Sequence, residues 1–145
     1  MNKIKIFTLF TITLIVLSAC FNKNNDFADA NKLIVNQPCM PVKNNCEILL
    51  DKNIKLHLKF MASPSYQRLL PVSLESRDAV MNNITITMII DGKEMPSEKM
   101  LLSENKKIWE AQLLPFAAVT KDNVKLRLEV TYNNKLYVAE FPVTY

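Results

Sequence analysis

Ile54-Lys55-Leu56-His57-Leu58-Lys59-Phe60 is the stretch that decides the fold. Ile54, Leu56, Leu58 and Phe60 alternate with Lys55, His57 and Lys59, a strict period of two. That period places four apolar side chains on one face of an extended strand and three basic or polar ones on the other. Outward from it the chain repeats the pattern. Upstream, Ile48 to Leu50 is a brief apolar run closed by the turn formers Asp51, Lys52 and Asn53. Downstream, Ala62 to Ser65 breaks the pattern, and Leu70 to Ser76 resumes it with Pro71 at the strand's start. Ile84 to Ile90 is rich in β-branched residues and reads as the strongest strand. Asp91-Gly92 ends it, and Gly92, the chain's single glycine, is expected to supply the one backbone position that needs a positive φ.

Further strands are expected at Met100 to Ser103, Ile108 to Leu114, Val124 to Val130 and Leu136 to Val143, with Asn133-Asn134 turning the last hairpin. Seven or eight short strands joined by turns, with little helical periodicity, predict an antiparallel β-sandwich. A small closed barrel is the competing architecture. Trp109, the single Trp, lies in a strand and is expected in the core.

The N-terminus carries a different signal. Lys3 and Lys5 precede an uncharged apolar run from Ile6 to Leu17, followed by small residues at the exit. This is the pattern of a secretory signal segment, and it is shorter than the roughly 20 apolar residues of a membrane span. Leu17-Ser18-Ala19-Cys20 resembles the lipobox of bacterial lipoproteins. The resemblance implies removal of residues 1–19 and a mature chain that begins at Cys20, with diacylglycerol on the sulfur and an acyl chain such as palmitate on the amine. One acyl chain holds a membrane marginally, while two or more hold it firmly. Phe21 stands where the familiar inner-membrane retention signal has Asp, which favours the outer membrane in a cell that has one.

Removing the signal leaves 126 of the 145 residues, enough for one domain and a tether. Lys3 and Lys5 leave with it, so the formal charge falls from +4 to +2. No basic patch interleaved with aromatics is visible, and nucleic acid is not an expected partner. Residues 20–37 read as the lipidated cysteine and a flexible tether dense in Asn and Asp, with Leu33-Ile34-Val35 as a candidate edge strand. The domain proper is expected over 38–145. Cys39 and Cys46 remain as an even pair in an oxidising compartment. Their six-residue spacer is not the two-residue spacer of redox helices or zinc knuckles, and a disulfide staple is the expected role.

A wider resemblance covers about 39–130. Cys39 and Cys46, the alternating strand, Asp91-Gly92-Lys93-Glu94-Met95-Pro96, Ile108-Trp109-Glu110 and Leu113-Leu114-Pro115 follow one another as in a group of small exported proteobacterial proteins. That group is similar to immunoglobulin-like periplasmic modules, some of which handle copper, and the resemblance implies a β-sandwich of the immunoglobulin-like kind. Many of its members have a second Met and Gly after the glycine segment and a Cys after the Leu-Pro, where this chain has Ser97-Glu98-Lys99-Met100 and Phe116-Ala117-Ala118. The resemblance makes His57, Met88, Met95 and Met100 the candidate ligands for Cu(I), which favours thioether and imidazole donors. No other cofactor is expected.

Catalysis is not expected. His57 is the only histidine, it lies between two lysines, and no carboxylate adjoins it in sequence to orient it as a base. A single glycine excludes phosphate-cradling glycine loops. The expected role is a binding or structural module of the cell envelope, anchored to membrane by lipid and meeting another envelope protein. Tyr66 and Arg68, in the loop after the alternating strand, are the first candidates for that contact, because exposed Tyr and Arg are frequent interface anchors.

Overall fold

The computed structural model describes residues 27, 29–104, 107–121 and 123–145. The signal segment, Cys20 and the first part of the expected tether lie outside these residues. The described chain forms β1 (Asn31–Lys32), β2 (Ile34–Val35), a 3-10 turn (Pro41–Lys43), β3 (Glu47–Asp51), β4 (Ile54–Phe60), β5 (Leu70–Ser76), β6 (Asn83–Ile90), β7 (Lys93–Glu94), β8 (Glu98–Lys99), β9 (Leu101–Leu102), β10 (Ile108–Leu113), β11 (Val124–Tyr132) and β12 (Lys135–Pro142).

Two sheets result. The first runs β1-β12-β11-β6-β7, with β8 also paired to β6, and the second runs β2-β3-β4-β5-β10-β9. All ladders are antiparallel except β1 on β12. With β4 taken as the first strand, β4-β5-β10-β9 facing β6-β11-β12 is the ABED and CFG arrangement of immunoglobulin-like sandwiches. The hairpin β3 and the short β2 extend one sheet beyond that frame. The expected sandwich forms, as two separate sheets and not a closed barrel.

Period-two alternation builds the core. Leu56, Leu58 and Phe60 of β4 and Leu70, Val72 and Leu74 of β5 face Ile84, Ile86 and Met88 of β6 and Leu126, Leu128 and Val130 of β11, all buried. Trp109 is buried among them as expected, at 3 % exposure. Several kilocalories per mole of apolar burial accumulate from each strand, at about 25 cal/mol per Å² removed from water.

Three expectations change. The stretch assigned to the tether enters the fold, because β1 joins one sheet, β2 joins the other, and Leu33 between them is buried. The candidate edge strand at Leu33-Ile34-Val35 forms as β2, at the edge of the second sheet. The strand expected from Met100 to Ser103 forms only as the shorter β9 in the second sheet, and buried Met100 is the crossing to it from β8 in the first sheet. Positive φ is not confined to Gly92 (75°). Asp91 beside it has φ 50°, Asn133 and Asn134 have 49° and 59°, and Asn44 and Gln67 have 55° and 52°. Two-residue hairpin turns need left-handed geometry at both central positions, and Asp and Asn tolerate it.

Candidate functional site

A cleft of about 560 Å³ opens on the outward face of the first sheet, over β6, β11 and β12. Arg127 is its centre. Alternation along β11 turns Arg127 outward, between Thr87 of β6 and Glu140 of β12 in register. Its Nη2 donates to Glu94 Oε1 at 2.7 Å and to Glu140 Oε2 at 3.0 Å. Lys125 Nζ donates to the other oxygen of Glu140 at 3.4 Å. The ring of Phe27 covers the guanidinium, with its centroid 5.7 Å from Cζ. The hydrogen bond donated to Glu94 holds the guanidinium's pKa above its ordinary value, with burial opposing and Glu140 adding to the rise. Glu129, two residues on, is pushed the unfavourable way for a carboxylate. Burial raises its pKa, Arg127 lowers it and Glu94 raises it.

Chemically this cluster is a clamp. Both carboxylates and the guanidinium satisfy one another, and the pairing ties β7, β11 and β12 to the incoming chain at Phe27. Sequence reading passed over Arg127 because an alternating Lys, Arg, Glu strand face looks like ordinary solvated surface. The only available hint was the rarity of Arg, present at three positions against fifteen lysines.

The residues singled out in the sequence do not converge. His57 lies on the outward face of the second sheet, in register between Glu47 of β3 and Glu75 of β5. Those carboxylates are engaged by Lys55 at 3.1 Å and by Lys59 at 3.6 Å. Met88, Met95 and Met100 instead belong to the core between the sheets. The sulfur of Met95 accepts a hydrogen bond from the Phe116 N–H at 3.1 Å. Cys39 and Cys46 are bonded as a disulfide, both buried. Tyr66 and Arg68 are exposed, in a loop that also exposes Met61 and Leu69. Gln67 N–H donates to Pro115 O at 2.8 Å, which binds this loop to the one bearing exposed Phe116. Met61 and Leu69 carry no signal in the sequence, since lone apolar residues in a loop form no periodic pattern, and Phe116 stands out there only as part of Phe116-Ala117-Ala118. Cys20 lies outside the described residues.

The chain matches no protein-family model, no curated protein and no solved structure. Its function is therefore argued from its own residues.

Proposed function

We propose that the chain is a bacterial lipoprotein, fastened to a membrane through lipid on Cys20, whose immunoglobulin-like sandwich is a binding and structural module of the envelope. The observation that carries this reading is Leu17-Ser18-Ala19-Cys20 at the end of a basic-headed apolar run. The buried Cys39–Cys46 disulfide supports it, because such staples persist in oxidising compartments and are rare in reducing ones. The module acts by contact, with no reaction assigned to it, and faces the periplasm or the exterior. Phe21 favours the outer membrane in a cell that has two. Tyr66 and Arg68 belong to its contact surface, and another envelope protein is the expected partner.

Mass spectrometry of the protein purified from membranes tests the anchor. The expected N-terminus is Cys20 carrying diacylglycerol and an amide-linked acyl chain, and Cys20→Ala should move the protein out of the membrane fraction. An unmodified Cys20, or a chain still beginning at Met1, overturns the reading. The copper alternative needs His57 to meet Met95 and Met100, yet His57 faces outward from one sheet and both thioethers are in the core. A Cu(I) titration of the parent protein, compared with Met95→Leu plus Met100→Leu, tests it directly.

A further inference from the structure

Among the described residues, four of the nine exposed large apolar side chains lie on two loops at one end of the sandwich. Met61, Tyr66 and Leu69 are 69 %, 51 % and 63 % exposed in the loop between β4 and β5, and Phe116 is 52 % exposed after β10. Leu70 pairs with Leu113, so Leu69 and Leu114 leave the sheet side by side. The Gln67 to Pro115 hydrogen bond then holds the two loops together as one end of the sandwich. Positions 61–69 carry Arg68 as their only charge, and 114–123 carry Lys121 and Asp122. Apolar tips beside Arg68 and Lys121, with Asp122 the one carboxylate of the two loops, match a lipid surface, where apolar side chains enter the headgroup boundary and Lys or Arg meet anionic phosphate.

The chain's path brings that surface within reach of this end. Phe27 rests on Arg127, three residues from the Val124 start of β11, which is about 10 Å of strand from the loop end. Cys20 is seven residues before Phe27, so the two are separated by at most roughly 25 Å. The opposite end, at Asn133-Asn134, is about 20 Å from the level of Arg127 and would require an almost fully extended chain. Lying flat on the first sheet would press Glu94, Glu129 and Glu140 against anionic headgroups.

We infer that the loop end seats on the anionic lipid surface to which Cys20 is anchored, with Met61, Tyr66, Leu69 and Phe116 at headgroup depth and Arg68 and Lys121 on phosphates. The inference rests on the lipid anchor of the lipoprotein reading and reassigns Tyr66 and Arg68 from a protein contact to a lipid contact. The faces and edges of the sheets are left for a protein partner.

The test uses full-length lipidated protein in vesicles of phosphatidylethanolamine and phosphatidylglycerol with brominated acyl chains. Phe116→Trp places a fluorophore at the proposed contact, and Val80→Trp places one in the loop between β5 and β6, at the other end. Buried Trp109 supplies a common baseline. Quenching of F116W is expected to exceed that of V80W severalfold, and similar quenching of the two overturns the inference. Hydrogen exchange on the unsubstituted protein is an independent measure. Residues 61–69 and 114–121 should be protected on vesicles relative to detergent, and unchanged exchange there also overturns it. Protection that appears only when another envelope protein is added assigns this end to that protein and overturns the lipid contact. Intact mass of the same sample separates the two readings: unlipidated Cys20 sinks both, while lipidated Cys20 without contact at Phe116 sinks this one alone.

Discussion

Residues 31–35 and 98–102 do the same task at opposite edges of the sandwich. Each leaves the first sheet for the second within five residues and leaves one buried side chain at the crossing. Leu33 sits between β1 and β2, and Met100 sits between β8 and β9. Each thereby covers an edge that would otherwise present unpaired backbone groups. They differ in how they are held. The second is bonded along its whole length and on both flanks: Met95 N–H to Met88 O, Thr87 Oγ1 to Ser97 Oγ, Met100 N–H to Ile84 O and Ser103 N–H to Ile108 O. The first is held at the crossing by Leu33 N–H to Val138 O, downstream by Asn36 N–H to Glu47 O and by the disulfide that precedes β3, and upstream by the Asn31 side chain to Leu136 O and by Phe27 on Arg127. The second crossing is thus integral to the sandwich. The first is a strap laid onto it, on the path by which any pull on Cys20 would reach the core.

The largest expected effect is at Met100. Met100→Ala removes a 3 %-exposed plug whose surroundings are fixed on every side, and it should cost about 2–4 kcal/mol in urea unfolding. Removing the disulfide with Cys39→Ala plus Cys46→Ala should cost about 2–2.5 kcal/mol, from the entropy of an eight-residue loop. It should also speed amide exchange at Leu33 far more than at Met100, since the staple lies beside the strap alone. Equal acceleration at both would show that the two crossings unfold as one unit. Leu33→Ala should cost less than Met100→Ala, about 1–2 kcal/mol, because a segment near a chain end can lift away locally without opening the core. Equal losses at Leu33 and Met100 would break the distinction.

Much of this frame was legible from alternation. Ile54 to Phe60, Leu70 to Ser76 and Val124 to Val130 show a period of two and form strands with the expected face inward, while Ile84 to Ile90, legible from its β-branched content, forms a strand buried on both faces toward its end. The two crossings were not legible. A two-residue strand carries no period, and a single buried residue between two such strands looks like the middle of one short strand. That is why Leu33 was read as a candidate edge strand within a tether and Met100 as a possible metal ligand. Side-chain chemistry alone gives Met two roles, donor and core filler, and only the position at a sheet crossing separates them. The loop end was half legible. Tyr66 and Arg68 attract notice by residue type, whereas Leu69 and Phe116 matter only because a backbone hydrogen bond brings their loops together.

The smallest expected effect concerns the row of residues that joins the two crossings. Lys32, Val138, Glu129, Thr85 and Lys99 are successive register partners across the outward face of the first sheet, from β1 to β8. Glu129 in the middle has its pKa raised, first by burial, against the pull of Arg127 and with a further push from Glu94. A carboxyl whose folded pKa lies above its unfolded value holds its proton longer in the native state. Between those two values the native state binds more protons, so this group's contribution falls as pH rises through the carboxylate range. Glu129→Gln keeps the shape and removes the charge. Its stability relative to the parent should therefore be higher near pH 7, with that advantage fading as the pH is lowered below the carboxylate range. Urea midpoints for both proteins across that range measure the difference. Lys32→Met and Lys99→Met should leave the pH dependence as it is, because burial and Arg127, not the lysines at the two crossings, set the state of Glu129. A flattened profile in Lys99→Met but not in Lys32→Met would mean that the integral crossing also governs the charge between them, and would extend the contrast from packing to electrostatics.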